Sequence, residues 1–420
     1  MKIKQLIITF FLITLSLNIS GQEVISEYIS PDLYTVRLHR NEWALSNPII
    51  QLNSDQQLKL SFDELNSGIK NYYYSITLCD ADWKESILLR TEYFDGSPFN
   101  PISDYSYSFN TTFDYVHYNL IFPEGGNNLK TSGNYIIKVF ENFNEDKPVL
   151  IKKFMVVEPV ATIKAHIRQI PQSSMRDSYQ EIRFEVEHPS INIRNPINEV
   201  TATVIQNGRT DNMITGVRPQ FFRNGFMDFN YIKEIKMEGG NEFRHIDLRS
   251  ARFMVDNIRD FKFIDPFYHV YIFTEQTRKT EPYRFERDLN GRYFVEVREY
   301  ENNDIEADYF FVHFRLKQDF AEPFEKVYIS GNLTNRLQNQ NSMMTYSPFE
   351  KVYEHTLLLK QGFYNYHYLK VNDGETKGSL YDFENNYELT ENEYLILIYY
   401  KGVSDRCHRL IGAEIFNSIN

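Results

Sequence analysis

Tyr115-Val116-His117-Tyr118-Asn119-Leu120-Ile121-Phe122, followed at once by Pro123-Glu124-Gly125-Gly126, is the stretch on which the reading of the fold turns. Apolar and polar side chains take turns along it, the period of a strand with one buried face, and the Pro-Gly cluster is turn chemistry. The same pattern repeats in both directions. Leu58-Lys59-Leu60-Ser61-Phe62 alternates, as do Tyr135 to Phe140, Ile182 to Val186 and Thr201 to Ile205. Further on come Tyr268 to Phe273, Tyr293 to Val297, Tyr309 to Leu316 and Tyr394 to Tyr400. Glu238-Gly239-Gly240-Asn241 and Asn372-Asp373-Gly374 punctuate them. No window of helical length carries a 3.6-residue stripe. The 30 Tyr and 33 Phe suit strands, because rings pack well on a pleated, half-buried face. The expected fold class is all-β, built as tandem immunoglobulin-like sandwiches.

Strands that stop at prolines suggest where one sandwich ends and the next begins. Phe154-Met155-Val156-Val157 closes a unit before Glu158-Pro159, and a second break falls near Thr280-Glu281-Pro282. The expected units are residues 23–158, 159–281 and 282–420.

The N-terminal residues read as an export signal. Lys2 and Lys4 precede an apolar run from Leu6 to Ile19, and Gly21 offers a small residue for cleavage before Gln22. The run is short for a membrane span, although an uncleaved anchor is a second reading of it. No Cys follows for lipidation, and no later segment is apolar enough to span a bilayer. Loss of residues 1–22 removes two basic side chains and takes the net charge from −12 to −14. Such a surface repels phosphate backbones, so nucleic acid is not an expected partner. Cys79 and Cys407 lie far apart in sequence and form no disulfide framework; two separate buried thiols are expected.

No catalytic constellation emerges. There is no Gly-x-Ser-x-Gly elbow, no Gly-Lys-Ser/Thr phosphate loop and no His-Glu-x-x-His helix. The ten histidines are scattered among strands without the short paired spacing of a zinc site. The chain therefore reads as a non-enzyme, with no cofactor, metal or small-molecule substrate expected. Asp80-Ala81-Asp82-Trp83 is the most pointed acidic spot. Two carboxylates one residue apart on an extended chain share a side and could grip a cation. The plainer reading is a strand-end turn whose carboxylates accept backbone N–H groups while Trp83 seals the core beneath.

Val327-Tyr328-Ile329-Ser330-Gly331-Asn332 and the later Lys360-Gln361-Gly362-Phe363-Tyr364 resemble the early-set sandwiches that include starch-binding modules. The Trp on which those modules stack sugars is missing near Asn332. Tyr364, Tyr366 and Tyr368 share one face of the expected strand and could substitute, so a glycan-binding protein is the alternative function. An interdomain or partner contact is the favoured role for that stripe, since aromatic rows are enriched at interfaces.

Thr77-Leu78-Cys79-Asp80-Ala81-Asp82-Trp83 resembles the His-Cys-Asp/Asn-Ala-Asp-Trp signature of the type IX secretion plug family, with Leu78 in place of His. Asp104 to Thr111, Ser132-Gly133-Asn134-Tyr135, Phe243 to Arg249, Asp288-Leu289-Asn290-Gly291 and Arg409-Leu410-Ile411-Gly412 follow in the family's order. Cys407-His408 departs from the acidic residue expected there. The resemblance covers nearly the whole chain after residue 22. It implies a periplasmic plug that binds a giant outer-membrane β-barrel translocon and closes its periplasmic mouth. It also marks Asp80, Asp82 and Trp83 as family-motif residues.

Overall fold

In the computed structural model, residues 23–65, 68–230, 235–252 and 257–419 are described; the signal-peptide assignment at residues 1–22 lies outside them. The chain is all-β, as the alternation implied, and its strands form three sandwiches.

The first sandwich packs two sheets face to face. One carries Tyr72–Cys79, Gly133–Glu141 and Pro148–Val157 at its centre, and the other runs Leu33–Arg40, Leu58–Leu65, Tyr115–Phe122, Asp104–Tyr107. Leu58, Leu60 and Phe62 point inward from alternate positions and are fully buried. Rings fill the space between the sheets. Phe62 stacks on Tyr118 with centroids 5.1 Å apart, and Tyr135 stacks on Phe154 at 5.3 Å. Such pairs add about 0.5–1.5 kcal/mol each beyond area burial, which explains the abundance of Tyr and Phe.

The second sandwich is closed by the far end of the chain. Val200–Gln206 pairs antiparallel with Glu393–Tyr400, which in turn pairs with Arg409–Asn417. This sheet faces Thr162–Gln169 and Tyr179–Glu187 across a core containing Phe184, Val204, Ile396 and Ile398. The third sandwich is inserted between those halves. Arg244–Asp247 pairs with Gly362–Asn372, and the opposing sheet runs Ile258–Ile264, Phe267–Ile272, Tyr309–Lys317, Val352–Lys360, Thr345–Ser347.

The division expected at residues 281 and 282 is therefore corrected. Residues 244–384 belong together, and residues 393–417 return to the second sandwich. Proline marks a local end of a strand, whereas membership of a sheet is set by non-local pairing. Pro282 sits in a strand-free segment that runs along the inserted sandwich, where the Tyr283 hydroxyl donates to Glu242 Oε1 at 2.5 Å and to the Leu389 carbonyl at 2.9 Å.

Truncation after Glu384 should abolish cooperative unfolding of the second sandwich, because it removes two of its strands together with Tyr394, Ile396 and Ile398. Circular dichroism on heating would test this. A truncated chain that melts like the parent would show that residues 393–417 are dispensable to that core.

Candidate functional site: the junction of the three sandwiches

The polar phase of the first sandwich's second sheet is buried, although alternation alone would leave it to solvent. Asp63 and His117 are cross-strand neighbours on that face. Tyr309 and Lys360 are cross-strand neighbours on the third sandwich. The two pairs meet face to face. Lys360 Nζ donates to Asp63 Oδ2 at 2.6 Å, Tyr309 donates its hydroxyl to the same oxygen at 2.6 Å, and His117 Nδ1 lies 2.5 Å from Oδ1. The ammonium also donates to the Asp304 carbonyl at 2.6 Å and lies 4.1 Å from the Tyr115 ring centroid. Both charged side chains have 0% exposure.

Burial alone would raise the Asp63 carboxyl, but the Lys360 ammonium and the His117 ring hold it below the usual carboxylate range. Burial also pulls the Lys360 ammonium down, and Asp63 opposes that. Around this pair, Arg37 and Lys59 reach Asp304 at 2.8 and 3.2 Å, tying a second side of the first sandwich to the third. Thr112 donates both its backbone N–H and its hydroxyl to Asp308.

The Asp80-Ala81-Asp82-Trp83 run forms a turn, with the Trp83 N–H donating to the Asp80 carbonyl at 2.9 Å. The two carboxylates do not converge. Asp80 accepts the His408 backbone N–H at 2.8 Å, while Asp82 turns to solvent and pairs with Lys84 at 2.9 Å. The cation reading of these two residues therefore lacks a geometry to support it. Asp80 is instead a clamp on the returning C-terminal hairpin, and burial, which would raise it, is outweighed by its contacts with His408 and Lys401. Cys407-His408 thus meets this clamp through a backbone N–H, which needs no acidic side chain. Asn134 reinforces the clamp, donating to the Asp80 carbonyl at 3.2 Å and accepting the Tyr399 hydroxyl at 2.8 Å.

Trp83 was expected to seal the first core, and its position corrects that expectation. It adopts a left-handed backbone (φ 63°), is half-buried, and packs against the cluster that Met155 and Val157 of the first sandwich form with Leu395 and Leu397 of the second. The turn throws the ring sideways onto the neighbouring unit rather than down into its own.

Tyr364, Tyr366 and Tyr368 require a second correction. Their exposures are 2%, 0% and 0%, so they form part of the third core and present no surface to a barrel or a sugar. Tyr366 donates its hydroxyl to Glu275 at 3.0 Å, and Tyr368 donates to the same carboxylate oxygen. Their strand is covered on both faces, and alternation of aromatic and polar residues cannot distinguish an inner face from an outer one. Cys79 and Cys407 are buried free thiols, and burial pushes the Cys79 thiol up to about 12. The Asp63–Lys360 contact escaped sequence reading because both residues sit on phases that look solvent-facing. The only available signal was a Lys directly following the apolar run Leu357-Leu358-Leu359.

Among the described residues no group of three or more His, Cys, Asp or Glu side chains could hold a metal, and no helix is long and apolar enough to cross a membrane. Residues 33–158 match the family model described as the first domain of the Type 9 secretion system plug protein. The crystal structure of a hypothetical protein from Parabacteroides merdae is 32% identical, covers 94% of this chain and 100% of its own, and superposes with a TM-score of 0.91. The collagen adhesin of S. aureus aligns at 10% identity over 94% of each chain with a TM-score of 0.11, too low to indicate a shared fold. No curated protein matches the chain.

Lys360→Met leaves the Asp63 carboxylate buried without its cation and should cost about 3–5 kcal/mol in urea unfolding, with most of that recovered in the Asp63→Asn, Lys360→Met double variant. Asp63 and Asp80 are depressed carboxyls, so their stabilisation is complete above about pH 5 and is lost as the pH falls below about 4. Asp63→Asn should flatten that acid slope. A double variant whose cost is the sum of the two single costs would show that the pair is not coupled.

Proposed function

Because the chain belongs to the type 9 secretion system plug family, we propose that it is a non-catalytic periplasmic stopper that binds a giant outer-membrane β-barrel and closes its periplasmic mouth. The observation that carries this reading is the interlocking of three sandwiches through buried ionic contacts. A body used to block a wide pore has to dock without deforming, and a pre-organised surface loses little conformational entropy on docking.

The docking contact is assigned to a seam shared by the first and third sandwiches. Tyr107 and Phe109 are 59% and 63% exposed there, and Phe263 and Ile264 are each 51% exposed at the tip of the Ile258–Ile264 hairpin. The seam is continuous: Phe109 donates its N–H to the Ile305 carbonyl, and Phe113 packs on Phe267 with centroids 4.5 Å apart. Exposed rings at the centre of a surface are what protein interfaces use.

The test is affinity purification of the tagged chain from outer membranes, with co-purifying proteins identified by mass. A large barrel should be recovered, and recovery should be lost in a Phe109→Asp, Phe263→Asp variant that melts like the parent. Deleting the gene in a strain lacking the barrel's other gate should raise outer-membrane permeability. Recovery of the chain with no barrel, and unchanged permeability, would contradict the proposal.

A further inference from the structure

A cavity of about 380 Å³ lies where the three sandwiches meet, and all three contribute to its wall. Its apolar side includes Leu38 and Met155 from the first, Ile205 from the second and Leu337 from the third. Its polar side is cationic. Arg37, Lys152, Lys153, Arg292 and Arg336 line it, against the single carboxylate of Glu27.

Three of those cations are already paired. Arg37 reaches Asp304, Lys152 reaches Glu27 at 2.7 Å, and Arg292 reaches Glu393. Among the described residues, no carboxylate forms an ion pair with the Lys153 ammonium or the Arg336 guanidinium, although Glu27 accepts the Lys153 backbone N–H at 2.9 Å. The Lys153 ammonium sits over the Trp83 ring, 4.6 Å from its centroid. Arg336 donates Nε to Asn332 Oδ1 at 2.8 Å and Nη2 to the Asn290 carbonyl at 3.0 Å, while its Nη1 is buried with no acceptor. Burial lowers both groups, Arg336 to about 9 with help from Arg292 and Arg209. Glu27 opposes that lowering at Lys153, and Asp211 and Glu393 do so at Arg336, without forming an ion pair with either. Desolvated cations without a direct ion pair are costly, and the chain's net charge of −12 makes such a spot conspicuous.

We propose that this cavity binds an amphipathic anion, a carboxylate carried on an apolar body. Lys153 takes the carboxylate, Arg336 adds its field from behind, and Leu38, Met155, Ile205 and Leu337 cover the apolar part. Trp83 then holds the Lys153 ammonium at the cavity through its ring face. A free acyl chain and a peptide C-terminus ending in leucine share this chemistry. Because the wall comes from three units, an occupant would bridge them. The inference is independent of the plug reading.

Calorimetric titration of the full chain after residue 22 tests it. The probes are decanoate and N-acetyl-leucyl-leucine, with decanol and N-acetyl-leucyl-leucinamide as neutral counterparts. One or both anions should bind saturably at one site, and the neutral counterparts at least about tenfold more weakly, the scale of one charged hydrogen bond. Decanoate alone would identify an acyl source, and the peptide alone a chain terminus. Lys153→Gln should weaken binding by about tenfold with unchanged melting temperature. Ala44→Trp, at an exposed position on the cavity wall, should block it by bulk. Absence of binding by both anions, equal binding of the neutral counterparts, or binding unaffected by both variants would overturn the proposal.

Discussion

Asp63 and Lys360 lie 297 residues apart, share no solvent, and hold two sandwiches in one orientation. A buried ion pair is a weak source of net stability, because desolvation of each charge offsets most of their attraction. Its strength is as a geometric requirement. Any other docking of the first sandwich on the third would bury one charge without the other, at a cost of several kcal/mol. His117, Tyr309 and the Asp304 carbonyl satisfy the remaining valences, so only this arrangement leaves the network complete.

The return of the C-terminal hairpin supplies the second fixed relation. Strands 393–400 and 409–417 are integral to the second sandwich; Asp80 of the first grips their connecting segment at the His408 N–H, and Asn134 of the first accepts the Tyr399 hydroxyl on the earlier strand. The third sandwich is inserted into the second and ion-paired to the first. Each unit is therefore held by both others, and no hinge segment alone connects them. A plug gains from this closure, since force on any one sandwich is shared by the whole.

The strands were legible in the sequence because period-two alternation is local, and the runs quoted from Leu58 to Tyr400 fall on strands, with only Phe273, Glu296 and Val297 lying past the ends of theirs. The grouping of those strands was not legible. Val200–Gln206 finds its neighbour nearly two hundred residues later, and no residue near Pro282 announces that the chain will return. Burial of the polar phase was equally hidden. Asp63 and His117 occupy positions that in a lone sandwich would face water, and Tyr364, Tyr366 and Tyr368 occupy positions that could face either way. The family motif was visible as residues but not as a role. Only the turn at Asp80–Trp83 reveals that it points at another unit.

Native-state hydrogen exchange on the full chain, read by mass spectrometry of peptides from each sandwich, tests the central claim of a single interlocked body most directly. If the buried network couples the units, amides of Tyr72–Cys79, Val200–Gln206 and Tyr309–Lys317 should share one opening free energy, and Lys360→Met should lower it in all of them. Separate opening energies for the three strands, with the variant affecting only the third sandwich, would contradict the account.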